Sequence, residues 1–159
     1  MNELTVWVDG DSCPRPVRAV IFRAAKKRGF SVYYVANRAI DLPGHVMLLV
    51  AKETETETAD DLILERAREG DLVITRDIPL AERALERNLD CINDRGTRFT
   101  PDTIAQRRSE RDRMEELRQA TGIGMAKRSF GKEQTKDFAD TFDRYLTGRL
   151  ISRPVRNNL

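Results

Sequence analysis

The stretch Leu4–Val17, LTVWVDGDSCPRPV, decides how the rest of the chain is read. Its first part, Leu4 to Val8, is apolar and β-branched, the pattern of a buried strand. Acid follows, and then two prolines where a helix would begin. A strand that runs into Asp9-Gly10-Asp11 just before a helix delivers two carboxylates to the carboxyl edge of a sheet. Open α/β sheets bind their ligands at that edge, where strand order reverses.

Outward from this stretch the same alternation repeats. Pro14 to Arg28 places Val17, Val20, Ile21 and Ala24 at helical spacing, and Gly29 ends the run. SVYYVA (31–36) reads as a second strand and HVMLLV (45–50) as a third, separated by a loop closed by Pro43-Gly44. A polar, threonine-rich loop leads to a helix from about Ala59 to Glu69, stopped by Gly70. DLVIT (71–75) is the fourth strand, a helix starts near Pro79, and DCIN (90–93) is a short last strand. Strands alternating with helices, most strands apolar on both faces, predict an α/β fold. The expected form is a three-layer α/β/α sandwich around a central, mostly parallel sheet of 4–5 strands.

After Gly96 the character changes. Residues 100–120 read as one long charged helix, and Gln134 to Gly148 as a last helix with Phe138, Phe142, Tyr145 and Leu146 on one face. Three roles are open to these extra C-terminal helices: packing on the sheet, covering the acidic cleft, or forming a homodimer contact. Glycines 122, 124 and 131 suggest a movable cover between them. The chain reads as a single domain over 1–159, with a core of about 1–120, a C-terminal loop and helix over about 121–150, and a loose tail over 151–159.

Composition narrows the class. The chain has 159 residues, 40% hydrophobic and 34% charged, which fits a globular protein with a heavily charged surface. No apolar run approaches a membrane span and none near Met1 has signal-peptide form, so a cytoplasmic location without membrane association is expected. Two distant cysteines, Cys13 and Cys91, are expected as reduced thiols. Net charge is +2, divided as −2 over residues 1–100 and +4 over 101–159. That modest imbalance is weak support for nucleic acid, and with Glu and Asp interspersed a solvated helix face explains it better.

The acids carry most of the chemistry. Asp9 and Asp11 follow the first strand, Asp60 opens the helix before the fourth, Asp77 follows the fourth strand, and Asn93-Asp94 follow the fifth. Each has a plainer reading: Asp11 or Ser12 as the cap of the first helix, Asp60 as a partner of a helix dipole, Asp77 as a cap. Asp9 resists such a reading because it extends a buried strand. If the first and fourth strands are neighbours, the acids converge, and crowded carboxylates need a cation or a proton to offset their repulsion. Oxygen donors without His or Cys suit Mg²⁺ or Mn²⁺, an ion that activates water and holds phosphate oxygens. Thr75 would orient a ligand water, and Arg76 would reach a phosphate or else form a surface ion pair.

With these residues in view, the sequence resembles the small bacterial YaiI/YqxD family, usually grouped with PIN-like nucleases. The resemblance rests on VWVDGDSCP, VAN, TADD, GDLVITRDIPLA and NDRGTRFTP, in that order, and covers nearly the whole chain. It implies a PIN-like α/β/α sandwich, an acidic metal site and phosphodiester hydrolysis. Carried over, the catalytic acids are Asp9, Asp60 and Asp77. The metal ligands are the same three with Asp11. Asn37 of VAN, with Asn93 and Arg95, matches positions around the same pocket. Where the family often has proline, this chain has Asp94, which reads either as a fourth carboxylate or, preferably, as a loop residue.

Three functions follow as expectations. The first is a Mg²⁺- or Mn²⁺-dependent nuclease acting on single-stranded RNA, with single-stranded DNA second. Arg15, Arg18, Arg38, Arg76, Arg95 and Arg98 near the same edge would track the backbone. The second is an RNA- or partner-binding module without turnover, in which Phe99 and Phe130 either stack on bases or belong to the core. The third, weakest, is a haloacid dehalogenase-like phosphatase built on Asp9-x-Asp11, for which no convincing lysine is present. A tyrosine-phosphatase loop is excluded, because only four residues separate Cys13 from Arg18. A single histidine, His45, argues against a triad or zinc.

Overall fold

The structure is a computed structural model that describes residues 3–52, 57–123 and 130–151. Its elements run β1 (Thr5–Asp9), α1 (Arg15–Arg28), β2 (Ser31–Ala36), β3 (Met47–Val50), α2 (Ala59–Arg66), β4 (Leu72–Ile74), α3 (Ile78–Glu86), β5 (Asp90–Ile92), β6 (Arg98–Phe99), α4 (Pro101–Thr121) and α5 (Lys132–Ile151). The sheet order is β3-β2-β1-β4-β5-β6. The first five strands are parallel, and β6 returns antiparallel to β5. Order therefore reverses between β1 and β4, the crevice at which ligands of such sheets bind.

The period of two along each strand divides the core into two layers. Val6, Val8, Val32, Tyr34, Ile74 and Ile92 point to one face, where Val17 and Ile21 of α1 meet Phe138, Phe142 and Leu146 of α5. Trp7, Val35, Val73 and Cys91 point to the other, packed by Leu62 and Ile63 of α2, Leu80 and Ala84 of α3, and Ile104 at the start of α4. The three-layer α/β/α arrangement expected from the apolar alternation is thus the one observed.

Several details differ from the expectation. The sheet has six strands, because the two-residue β6 is too short to leave a periodic signal in the sequence. It forms when Asn93 Oδ1 accepts hydrogen bonds from the Arg95 and Thr97 amides, at 2.9 and 2.8 Å, and turns the chain back along β5. Helix α2 ends at Arg66 rather than Glu69. The Arg68 amide leaves the helix to donate to Asp71 Oδ2 at 2.9 Å, and Asp71 closes a turn back onto the Arg68 carbonyl.

The C-terminal helices separate in character. The apolar face of α5 packs on the sheet, with Phe138 and Leu146 at 0% and 1% exposure, so its aromatic stripe is core and covers no cleft. Gly96 is held close against this helix. It has φ +86°, and a Cβ there would lie 2.5 Å from the Asp137 carbonyl oxygen. In α4 only Ile104 is buried, and the helix is otherwise charged and open to solvent. The glycine-rich loop read as a movable cover and the tail read as loose lie largely outside the described residues. Among the described residues no helix is long and apolar enough to cross a membrane.

Candidate active site

The parallel pairing of β1 with β4 sets Val8 opposite Ile74, so the next residues, Asp9 and Thr75, emerge side by side at the carboxyl edge. Both are buried, at 6% and 2% exposure. The Thr75 hydroxyl donates to Asp9 Oδ2 at 2.7 Å, and the Ser12 hydroxyl donates to the same oxygen at 3.1 Å. Thr75 Oγ1 in turn accepts from the Asp77 amide at 3.0 Å. One oxygen of Asp9 is therefore committed to two hydroxyls that hold the carboxylate at a fixed angle. Burial still raises the Asp9 pKa against those two bonds, and the charges of Asp77 and Asp11 raise it further.

Asp60 arrives from the second layer. Thr58 caps α2 by accepting from the Asp61 amide, and Asp61 reciprocates onto the Thr58 amide, a full capping box. The cap is thus satisfied by Asp61, not Asp60. The Asp60 pKa rises to about 6, first through burial and then through the charges of Asp77 and Asp9. Asp77 does serve as a cap, its Oδ1 accepting from the Leu80 amide at 3.0 Å at the start of α3. The cap reading of Asp11 and Ser12 is corrected: the residue before α1 is Pro14, and no side chain caps that helix. Asp11 and Ser12 lie instead in a one-turn 3₁₀ segment, Gly10–Ser12.

Asp9, Asp11, Asp60 and Asp77 together border one open cavity of about 440 Å³, with Ser12 and Arg76 on its wall. Among the described residues no three His, Cys, Asp or Glu side chains are drawn into an arrangement that could hold a metal ion as it stands. Among the described residues Arg76 is the one basic residue on this wall. It pairs with Asp94, whose side chain is 4% exposed against 51% for Arg76. Asp94 is therefore neither a fourth wall carboxylate nor a bystander in the loop, but the buried anchor of the cavity's arginine.

Other expected site residues are placed differently. The Asn37 amide donates to Asp11 Oδ1 at 3.3 Å, which sets Asn37 beside the turn rather than on the acidic wall. Asn93 orders the turn into β6, and Arg95 lies 5.6 Å from the Phe130 ring centre. Phe99 is buried at 3% exposure, so it is core. His45 ties its ring Nε2 to the Phe22 carbonyl at 2.8 Å, a structural contact. Burial pushes the Cys13 thiol up to about 12, which leaves it unreactive at neutral pH. The sequence offers Ser12 only as a cap, although its place three residues after Asp9 is the signal of a turn that folds a hydroxyl back onto the carboxylate.

Gly10 also acquires its reason here. A Cβ at this position would sit 2.3 Å from the Tyr34 ring and 2.8 Å from the Val35 carbonyl oxygen. Tyr34 passes directly beneath the turn and donates its hydroxyl to the Gly10 carbonyl at 2.9 Å. Only glycine lets the two acids straddle that ring.

Fold and crevice define the class: a three-layer α/β/α protein with an acidic cavity where its strand order reverses. Residues 7–148 match the model of the family described as "Uncharacterized BCR, YaiI/YqxD family". The chain belongs to that family. A UPF0178 protein of Treponema denticola is 42% identical over 151 residues, spanning 94% of this chain and 96% of its own length. A UPF0178 protein of Marinobacter nauticus is 39% identical over 144 residues, spanning 90% and 96%. Another, from Xanthomonas campestris pv. campestris, is 42% identical over 146 residues, spanning 89% of each chain. No solved structure matches the chain.

Proposed function

We propose that the protein is a metal-dependent nuclease of PIN-like type, acting on single-stranded RNA at the Asp9–Asp11–Asp60–Asp77 cavity. The observation that carries this reading is the convergence of four carboxylates, from the end of β1, the following turn and the starts of two helices, on one cavity. Two of them, Asp9 and Asp60, have raised pKa values from burial and from their acidic neighbours. Such crowding lowers stability unless a proton or a cation offsets it, and residues chosen for packing alone would not produce it.

In donor chemistry, though not as an arrangement already drawn together, the set suits a hard divalent ion: all four side chains supply oxygen, and Asp9 has only Oδ2 engaged by hydroxyls. Mg²⁺ or Mn²⁺ would be held by Asp9, Asp60 and Asp77, with Asp11 at the rim. When bound, the ion supplies an activated water and neutralises charge on a phosphate. The chain's own contribution is positional. Thr75 and Ser12 fix Asp9, the capping box leaves Asp60 free of that duty, and buried Asp94 aims the Arg76 guanidinium along the wall toward an incoming phosphate. A phosphatase reading finds less support, since among the described residues Arg76 and no lysine stands on this wall.

The test is cleavage of labelled single-stranded RNA in Mn²⁺ by the wild type and by Asp60→Asn, with EDTA as control. Asp60 has no hydrogen-bonding duty in the capping box, so this substitution removes a carboxylate without removing a structural bond. Cleavage lost in both arms supports the nuclease. Cleavage that survives Asp60→Asn refutes the assignment. Folded wild type that binds the RNA without cutting it supports the non-catalytic binding module instead.

A further inference from the structure

The six arginines expected at the carboxyl edge do not act together. Arg98 meets Asp90 at 3.7 Å and lies 5.1 Å from the Tyr145 ring centre, turned toward the first residue of β5. Arg95 faces Phe130, and Arg76 is tied to Asp94. The other three, Arg15, Arg18 and Arg38, line a second cleft, of about 700 Å³.

This cleft lies against the acidic cavity: Asp11, on the 3₁₀ turn, borders both. Its floor is rigid. The Arg18 Nη1 donates to the Tyr34 hydroxyl at 3.3 Å, with the guanidinium 5.8 Å from the ring centre, and Tyr34 braces the Gly10 carbonyl. Arg15 and Arg38 are exposed and have no hydrogen-bond or ion-pair partner among the described residues. Two acids, Asp11 and Asp41, also line the cleft, so the cations outnumber them.

Guanidinium forks without carboxylate partners suit phosphate oxygens, which they bind bidentately. The shared border at Asp11 makes the cleft and the acidic cavity neighbours, so a chain with a phosphate on each nucleotide can reach from one to the other. Among the described residues that line the cleft no aromatic face is open to stack on a base, because Tyr34 is only 2% exposed and its hydroxyl is engaged. Contacts of this kind position a strand without reading its sequence.

We infer that the Arg15–Arg18–Arg38 cleft binds the phosphate backbone of single-stranded nucleic acid, holding the strand beside the acidic cavity whatever its base sequence. The inference rests on the nuclease reading for its purpose, but it uses different side chains and is measured without catalysis.

The experiment is fluorescence anisotropy of a labelled twelve-nucleotide oligouridine in EDTA, over a salt series. Arg15→Gln combined with Arg38→Gln should weaken binding at least tenfold. It should also flatten the slope of log K against log salt by about 1.4, since each lost phosphate contact on a single strand contributes about 0.7. Arg107→Gln combined with Arg111→Gln, on the exposed face of α4, should change neither. Oligocytidine should bind within a few-fold of oligouridine. Undiminished binding by the Arg15/Arg38 variant, equal loss in the α4 variant, or no binding by the wild type would each overturn the cleft. The two readings separate cleanly in Mn²⁺. Wild type that binds through Arg15 and Arg38 but never cuts leaves the cleft standing without the nuclease. Wild type that cuts, with the double variant cutting and binding equally well, leaves the nuclease standing without the cleft.

Discussion

The two ends of the sheet bury acids in opposite ways. At the amino edge, Asp71 is 6% exposed, and its Oδ2 accepts from Trp7 Nε1 at 3.0 Å and from the Arg68 amide at 2.9 Å. The surrounding hollow mixes signs, with Arg66, Arg68 and Arg149 against Glu3, Glu69 and Asp71. At the carboxyl edge, Asp9 is buried to the same degree, yet its neighbours are three further carboxylates and one arginine. Burial of an acid is therefore no sign of chemistry by itself. What distinguishes the carboxyl edge is like charge gathered without balance, the condition under which a protein gains from a bound cation.

The sharpest way to break the comparison is catalytic. Asp60→Asn is expected to lower Mn²⁺-dependent RNA cleavage by about 10²- to 10³-fold, the usual scale for losing a group that stabilises the transition state. Asp71→Asn, read in the same single-turnover assay, should leave cleavage within a few-fold, because the amide oxygen still accepts from Trp7 and Arg68. Equal losses at the two ends would erase the distinction.

Next in size is stability. Asp71→Ala strands the Trp7 Nε1–H and the Arg68 amide, at a cost of about 2–3 kcal/mol. In a chain of this length that lowers Tm by roughly 4–12 °C. Urea unfolding gives the free energy directly. A change below 0.5 kcal/mol would mean that solvent replaces the carboxylate and that the amino-edge network is weaker than its geometry suggests.

At the carboxyl edge the sign reverses. Asp60 has its folded pKa raised to about 6 from the ordinary 3.8. The native state binds the proton more tightly than the unfolded chain. The associated stability is present below the unfolded value, falls through the window between the two pKa values, and is gone above the folded one. In EDTA, Asp60→Asn should therefore be more stable than the wild type at pH 7.5 by about 1 kcal/mol, allowing for solvent screening of a half-exposed group. The advantage should shrink as pH falls and vanish only below about pH 3, where Asp60 is neutral in both states. An Asp60→Asn melting curve parallel to wild type from pH 4 to 7.5 would contradict the crowding.

Metal binding sharpens the same point. Saturating Mn²⁺ at 100 times its dissociation constant would raise wild-type stability by about 2.7 kcal/mol if the unfolded chain binds none. The diagnostic quantity is the difference between variants: Asp71→Asn should retain that Mn²⁺ increment, and Asp60→Asn should lose a measurable part of it. Differential scanning calorimetry with and without the ion supplies both numbers. An increment unchanged by Asp60→Asn would take Asp60 out of the ion's site.

How far the sequence could be read depended on the range of the interaction. The alternation from β1 to β5 was legible because a fully buried strand and an amphipathic helix leave periods of two and 3.6 in the chain itself. The acids were legible because Asp9 extends an apolar strand, where a carboxylate has no packing reason to be. Hydrogen bonds formed only after folding were not. Ser12 on Asp9 depends on the 3₁₀ turn, and Asp94 on Arg76 joins residues eighteen positions apart. Trp7 to Asp71 spans two strands that pair only in the finished sheet. Asn37 carried a family motif and still fell outside the acidic wall, because its amide faces Asp11 from across the turn.

Sequence alone determined the α/β class, the two-sided apolar strands and the four acids, since each is written locally in spacing and composition. Tertiary structure decided which acids share a cavity, which serve as caps, and which arginines have no partner among the described residues. Those outcomes follow from β1 lying beside β4 and from Tyr34 passing under Gly10. Both are contacts between segments whose approach no local period records.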